Sequence, residues 1–177
     1  MKRQRACFLI DGYNVIHACP ELSRLARQEL AQARERLVDL LMEYGAFEQY
    51  EMTIVFDALF TLDEAHEERR GLHVAVLYTA AGETADSRIE RLSYDLVRSG
   101  REVHVVTSDG VEQTVILGAG AYRLPARELW RRIQKFRERL KKEYFVSTRR
   151  MMGRNEVLDH LEQEIAAQLD DLRRREE

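Results

Sequence analysis

Four aspartates stand at or just beyond the ends of short apolar runs. Asp11 follows Phe8-Leu9-Ile10, Asp57 follows Thr53-Ile54-Val55-Phe56, Asp86 comes soon after Tyr78-Thr79 in Thr84-Ala85-Asp86, and Asp109 follows Val103-His104-Val105-Val106-Thr107-Ser108. An apolar run that stops abruptly at a carboxylate and a glycine, as Ile10-Asp11-Gly12 does, predicts a buried strand that delivers the acid to the rim of a sheet. Four carboxylates meeting at one rim repel one another unless positive charge lies between them, and a divalent metal ion supplies it. Hard oxygen donors of this kind suit Mg²⁺ or Mn²⁺ rather than zinc. The expected chemistry is metal-assisted phosphodiester hydrolysis, which needs an activated water and stabilised charge on the phosphate but no protein nucleophile.

A metal-free ribonuclease would instead aim general acids and bases, often histidines, at the 2′-hydroxyl. Of His17, His66, His73, His104 and His160, only His17 lies near a catalytic candidate, and none shows paired ligand spacing. His104, inside an apolar strand, reads as a core residue. Asn14 is placed to hold Asp11 or a metal-bound water, while Thr84 and Ser108 are placed to orient neighbouring carboxylates or bind phosphate. Thr84 and Ser108 also suit helix caps and turns. Glu90 falls one helical turn after Asp86, and Glu112 follows Asp109 in a short predicted helix.

These groups need a scaffold. Apolar runs predict strands over 52–56, 74–78 and 103–106 after the first at Phe8–Ile10, with helices between them. Pro20-Glu21 opens an amphipathic helix expected to run to about Tyr44 and stop at Gly45. Residues 58–71 are expected to form a loop with a short helical turn, a flap over the carboxylates. Thr84 caps a helix that ends at Ser99-Gly100. Continuous apolar strands alternating with helices imply an α/β fold whose mostly parallel sheet, of four to five strands, is covered on both faces, with functional groups at the carboxyl ends of its strands. Gly118–Pro125 reads as a glycine-rich loop lacking any nucleotide-binding pattern. Pro125 starts a basic helix reaching about Phe145, with Trp130 and Phe136 at core spacing. A basic break follows, and a last amphipathic helix carries Leu158, Leu161, Ile165, Leu169 and Leu172.

The chain of 177 residues is long enough for one domain with an appended helix, expected as a domain over 1–146 and an extension over 147–177. Asp11 cuts the first apolar run too early for a signal peptide, and no stretch reaches transmembrane length, so a cytoplasmic protein with no membrane partner is expected. Cys7 and Cys19 read as reduced packing residues. The formal net charge is −3, yet residues 127–154 hold eleven basic side chains opposed only by Glu128, Glu138 and Glu143. Arg127, Arg131, Arg132, Lys135, Arg139 and Lys142 on the basic helix are candidates for holding an RNA backbone.

Together, Asp11-Gly12-Tyr13-Asn14-Val15-Ile16, Phe56-Asp57-Ala58, Tyr78-Thr79 with Gly82-Glu83-Thr84-Ala85-Asp86 and Glu90, Thr107-Ser108-Asp109-Gly110 with Glu112-Gln113, and Gly118–Arg123 resemble the YacP-like branch of the NYN domains, within the PIN-like nuclease superfamily. The resemblance implies a PIN-like three-layer α/β/α fold and endoribonuclease activity with Mg²⁺ or Mn²⁺, leaving 5′-phosphate and 3′-hydroxyl ends. Asp11, Asp57, Asp86 and Asp109 would form its acidic site, supported by Asn14, Thr84, Ser108 and Glu90. This branch includes a ribosome-associated endonuclease that cuts mRNA during translation, which makes mRNA and the ribosome the implied partners. Two other readings use the same residues: a non-catalytic RNA- or ribosome-binding adaptor with a relic acidic pocket, and a phosphatase of small esters. The second is weakened because Asp11-Gly12-Tyr13 lacks a second Asp two residues on.

Overall fold

Every residue of β1 (Cys7–Asp11) is buried, which requires neighbours on both edges and cover on both faces. The edges are filled by β2 (Glu51–Phe56) and β5 (Val103–Thr107), both parallel to β1, in register Leu9↔Thr53 and Leu9↔Val105. The computed structural model describes residues 5–57, 65–108 and 120–144. Among these, β3 (His66–Arg70), β4 (Val74–Tyr78) and β6 (Tyr122–Pro125) complete a six-stranded sheet in the order β3-β4-β2-β1-β5-β6. Only β3 runs antiparallel to its neighbour. The sheet is therefore mixed but mostly parallel, as expected, with one strand more than the upper bound read from the sequence.

Both unforeseen strands lie at the edges. The β3 sequence His-Glu-Glu-Arg-Arg is polar and half to fully exposed, so it carries no apolar signal; its charges suit an edge that must not pair with another chain. The expected loop over 58–71 is thus a strand in its later part, while residues 58–64 lie outside the described residues. Likewise the expected glycine-rich loop gives way to a strand at Tyr122, where Leu124 alone is buried.

The single long helix expected from Pro20 is replaced by two, and a third helix, not expected, precedes them. Asp11 hands directly to α1 (Gly12–Ala18), and α2 (Pro20–Gln28) and α3 (Leu30–Glu48) follow. Cys19 is extended because the pyrrolidine of Pro20 clashes with a helical preceding residue. Glu29 is also extended, at φ −152° and ψ 111°, and nothing in the residue types of Gln28–Leu30 explains that break. Gly45 does not stop α3; it is buried within it, where an added Cβ would come within 3.2 Å of Met52 Sδ. The glycine permits close approach of helix to sheet, and α3 ends instead at Gln49 in a left-handed conformation (φ 59°).

α4 (Ala85–Arg98) covers one face of the sheet, with Ile89, Leu92, Leu96 and Val97 packed against Leu9, Val55, Leu77, Val103 and Val105. Met52 belongs to the opposite face, because successive strand residues alternate, and α3 packs there. Residues 126–144 form α5, whose Ala126, Leu129 and Ile133 are buried. By internal compactness the chain divides into Met1–Gln134 and Lys135–Glu177. In the second unit the described residues 135–144 are helical, with Phe136 buried and most others exposed. The expected C-terminal helix from Glu156 lies outside the described residues. Cys7 and Cys19 are buried free thiols, and burial pushes the Cys19 thiol up to about 12. Among the described residues no helix is long and apolar enough to cross a membrane.

Candidate active site

Asp11 ends β1 and at the same time caps α1. Its Oδ1 accepts the Asn14 main-chain N–H at 2.8 Å, and its Oδ2 accepts Asn14 Nδ2 at 2.7 Å. Both carboxylate oxygens are thereby fixed by one residue three positions on. Asn14 Nδ2 also reaches Thr107 Oγ1, at 3.4 Å, tying the end of β1 to the end of β5. The turn from strand to helix is tight because Phe56 lies against it: a Cβ on Gly12 would stand 2.2 Å from the Phe56 ring.

Asp57 stands half-buried at the end of β2 and accepts the main-chain N–H of Ala85, the first residue of α4. That N–H has no partner inside the helix, and the positive end of the helix dipole favours a carboxylate there. Thr84 caps the same terminus, accepting Ser87 N–H at 3.2 Å, and Asp86 lies exposed in the first turn. The end of β2 and the start of α4 are thus joined through one carboxylate.

Asp57 and Asp86 both act on Asp11. Asp11 is only 6% exposed, and burial raises its pKa; the two Asn14 bonds oppose the rise, while the negative charges of Asp86 and Asp57 add to it. None of the three forms an ion pair among the described residues. The set fits a hard divalent cation in donor type and in its unmatched negative charge. Among the described residues no three His, Cys, Asp or Glu side chains are close enough together to enclose an ion as they stand. Asp109, the fourth expected carboxylate, and Glu112 lie outside the described residues. Glu90 is exposed one turn beyond Asp86, and Ser108 is exposed immediately after β5.

Two cavities flank α1, and His17 lines both. One, of about 600 Å³, lies between α1, α2 and the end of β2, bounded by Tyr13, Arg27 and Asp57. The other, of about 430 Å³, lies on the β5 and β6 side, bounded by Asn14, Ser108, Arg123 and Arg127. Tyr13 meets the Phe56 ring edge-on at 5.1 Å, and its hydroxyl accepts Arg34 Nη1 at 3.0 Å. Tyr13, Arg27, Arg34 and Arg123 were not singled out in the sequence. Arg27 and Arg34 fall within the long helix expected from Pro20, and Arg123 within the expected glycine-rich loop. Of the basic candidates, Arg127, Arg131, Arg132, Lys135, Arg139 and Lys142 are all exposed, and Arg131 and Arg132 are drawn to Glu128 at 2.9 and 3.5 Å. His104 is half-buried, bonded to Glu102 at 2.9 Å and stacked on Phe8 and Tyr122.

The chain has counterparts among known proteins. The family model for the YacP-like NYN domain matches residues 8–174. The uncharacterized protein YacP of Bacillus subtilis (strain 168) is 38% identical over 135 residues, which is 76% of this chain and 78% of that protein. The crystal structure of Rae1 (YacP) from Bacillus subtilis superimposes with a TM-score of 0.69 at 32% identity, over 95% of this chain and 94% of that one. A mutant form of the same protein gives 0.65 at 36% identity, over 77% and 79% of the two chains. The chain belongs to the YacP-like NYN domain family.

Proposed function

We propose that the protein is a metal-dependent endoribonuclease of the cytoplasm, hydrolysing RNA phosphodiester bonds to leave 5′-phosphate and 3′-hydroxyl ends. The observation that carries the reading is the gathering of the buried Asp11, the half-buried Asp57 and the exposed Asp86 at the carboxyl edge of a mostly parallel sheet, without an ion-pair partner for any of them among the described residues. Burial raises the Asp11 pKa, and the charges of Asp86 and Asp57 add to the rise. Membership of the NYN family supports it. Asp11, Asp57, Asp86 and Asp109 are the residues that would hold Mg²⁺ or Mn²⁺. Such an ion supplies an activated water and neutralises charge on the phosphate.

The chain's own residues do the positioning. Asn14 holds both Asp11 oxygens in one orientation, and the first N–H of α4 holds Asp57. Thr84 secures the start of the helix that carries Asp86. The exposed basic row of α5 supports RNA as the polyanion, and the family resemblance supports mRNA engaged on the ribosome. Labelled RNA incubated with Mn²⁺ and wild type, Asp11→Asn or Asp86→Asn tests the site. Loss of cleavage in both variants is expected, and equal products from all three proteins would sink the assignment. Repeating the assay on translating ribosomes and on the same naked RNA decides the substrate.

A further inference from the structure

The smaller cavity beside α1 has a chemistry opposite to that of the aspartates. It lies where the chain connections diverge: β1 leads to β2 on one side, while β5 leads to β6 on the other. Crevices at the carboxyl ends of such strands are the usual ligand sites of open α/β sheets. The Asn14 to Thr107 hydrogen bond spans this one, so the residue that orients Asp11 also forms a wall of the cavity.

Its remaining walls include Ser108, Arg123, Ala126 and Arg127. They bring a hydroxyl donor, two guanidinium groups and the first residues of α5, whose main-chain N–H groups lack helical partners. Among the described residues neither Arg123 nor Arg127 forms an ion pair, in contrast to Arg131 and Arg132 further along the helix, which share Glu128. Arg123 Nε is buried and has no hydrogen-bond partner among the described residues. A buried donor left unpaired costs free energy until an acceptor arrives, and a guanidinium fork matches two phosphate oxygens.

We propose that this cavity binds an internal backbone phosphodiester of single-stranded RNA, next to the one at Asp11, and so sets the register in which the strand crosses the carboxylates. The proposal rests on the nuclease reading for its choice of ligand. Arg123 and Arg127 are binding and positioning residues; neither takes part in bond cleavage. Sharing Asn14 between the cavity and Asp11 couples the two positions, so a phosphate seated in the cavity places its neighbour at the acidic rim.

The test is binding of a short fluorescent oligoribonucleotide in chelator, read by anisotropy across a salt series. Arg123→Gln is expected to weaken binding about tenfold and to reduce the salt slope by about one. Arg127→Gln, at an exposed position that does not threaten the fold, should act in the same direction, and Arg123→Lys should recover part of the loss. Arg98→Gln, in the last turn of α4, should match wild type. Replacing single linkages by neutral methylphosphonates should reveal one position that costs wild type about tenfold and costs Arg123→Gln nothing. Wild-type affinity in both Arg123→Gln and Arg127→Gln would overturn the proposal, as would a flat methylphosphonate scan. Dependence on a 5′-terminal phosphate alone would assign the cavity to chain ends and overturn it too. Mn²⁺-dependent cleavage of the same RNA, lost in Asp11→Asn, separates the two readings: cleavage without Arg123 sensitivity removes only the subsite, and Arg123-sensitive binding without cleavage removes only the nuclease.

Discussion

At the amino edge of the sheet, Glu51 meets Arg101 at 2.7 Å, and the same guanidinium reaches the Arg5 carbonyl at 3.4 Å. At the carboxyl edge, five residues along β1, Asp11 meets the fields of Asp57 and Asp86 and no ion-pair partner among the described residues. The contrast separates holding a fold from preparing a site. An acid that meets a base is satisfied by the chain itself, and the hydrogen bond from Arg101 to Glu51 favours the charged guanidinium. Acids that meet one another raise the free energy of the folded protein and leave a place for a cation from solution.

The largest expected effect comes from the carboxyl edge in function. Asp11→Asn should lower Mn²⁺-dependent RNA cleavage by about a hundredfold or more, and Asn14→Ala by about 10- to 100-fold, because the carboxylate then loses its orientation. Glu51→Gln should leave cleavage at the wild-type rate. Comparable losses in Asn14→Ala and Glu51→Gln would erase the distinction between the edges.

Next in size is the turn that puts Asp11 at the rim. Gly12→Ala places a methyl within the Phe56 ring and should cost roughly 1–3 kcal/mol in urea denaturation, with part restored by Phe56→Leu. An unchanged midpoint would mean that the turn relaxes freely. Glu51→Gln removes the negative charge that faces Arg101 at a half-exposed site and should cost about 0.5–1 kcal/mol, reduced by salt. Asp86→Asn should cost less than Glu51→Gln in chelator, because the repulsion it relieves offsets the lost charge at the α4 terminus.

The smallest effect is a pH dependence. Asp11 binds its proton more tightly in the folded protein than in the unfolded chain, so its contribution to stability is full below the ordinary carboxylate range. That contribution is lost as pH rises through the raised Asp11 value. Asp86→Asn removes one of the charges behind the rise, so an NMR titration of the Asp11 carboxyl carbon in chelator should shift to lower pH. A titration that stays in place would show that the two carboxylates do not sense each other.

Much of this architecture is legible in residue types. Phe8-Leu9-Ile10, Ile54-Val55-Phe56 and Val103–Val106, the last interrupted only by His104, are apolar runs that suit strands covered on both faces, and Thr84 announces α4 through its side-chain acceptor. The edge strands are silent for the converse reason. β3 has one exposed edge and a polar sequence, and it is a strand because Val74–Tyr78 offers it hydrogen bonds. Gly45 misleads because a helix terminator and a helix-to-sheet contact both select a residue without Cβ.

The sequence by itself determined which residues carry acid, which apolar runs must be buried, and that Asp11 and Asp57 end strands, since these follow from side-chain chemistry and local periodicity. Only the tertiary structure decided that Asp57 caps α4, that Asn14 bridges Asp11 to Thr107, and that Arg123 and Arg127 meet Ser108 and Asn14 at one cavity. Asp57 and Ala85 are 28 positions apart and Asn14 and Thr107 are 93 apart, and the cavity gathers residues from the ends of three separate elements. Strand order brings them together, and no local pattern records that order.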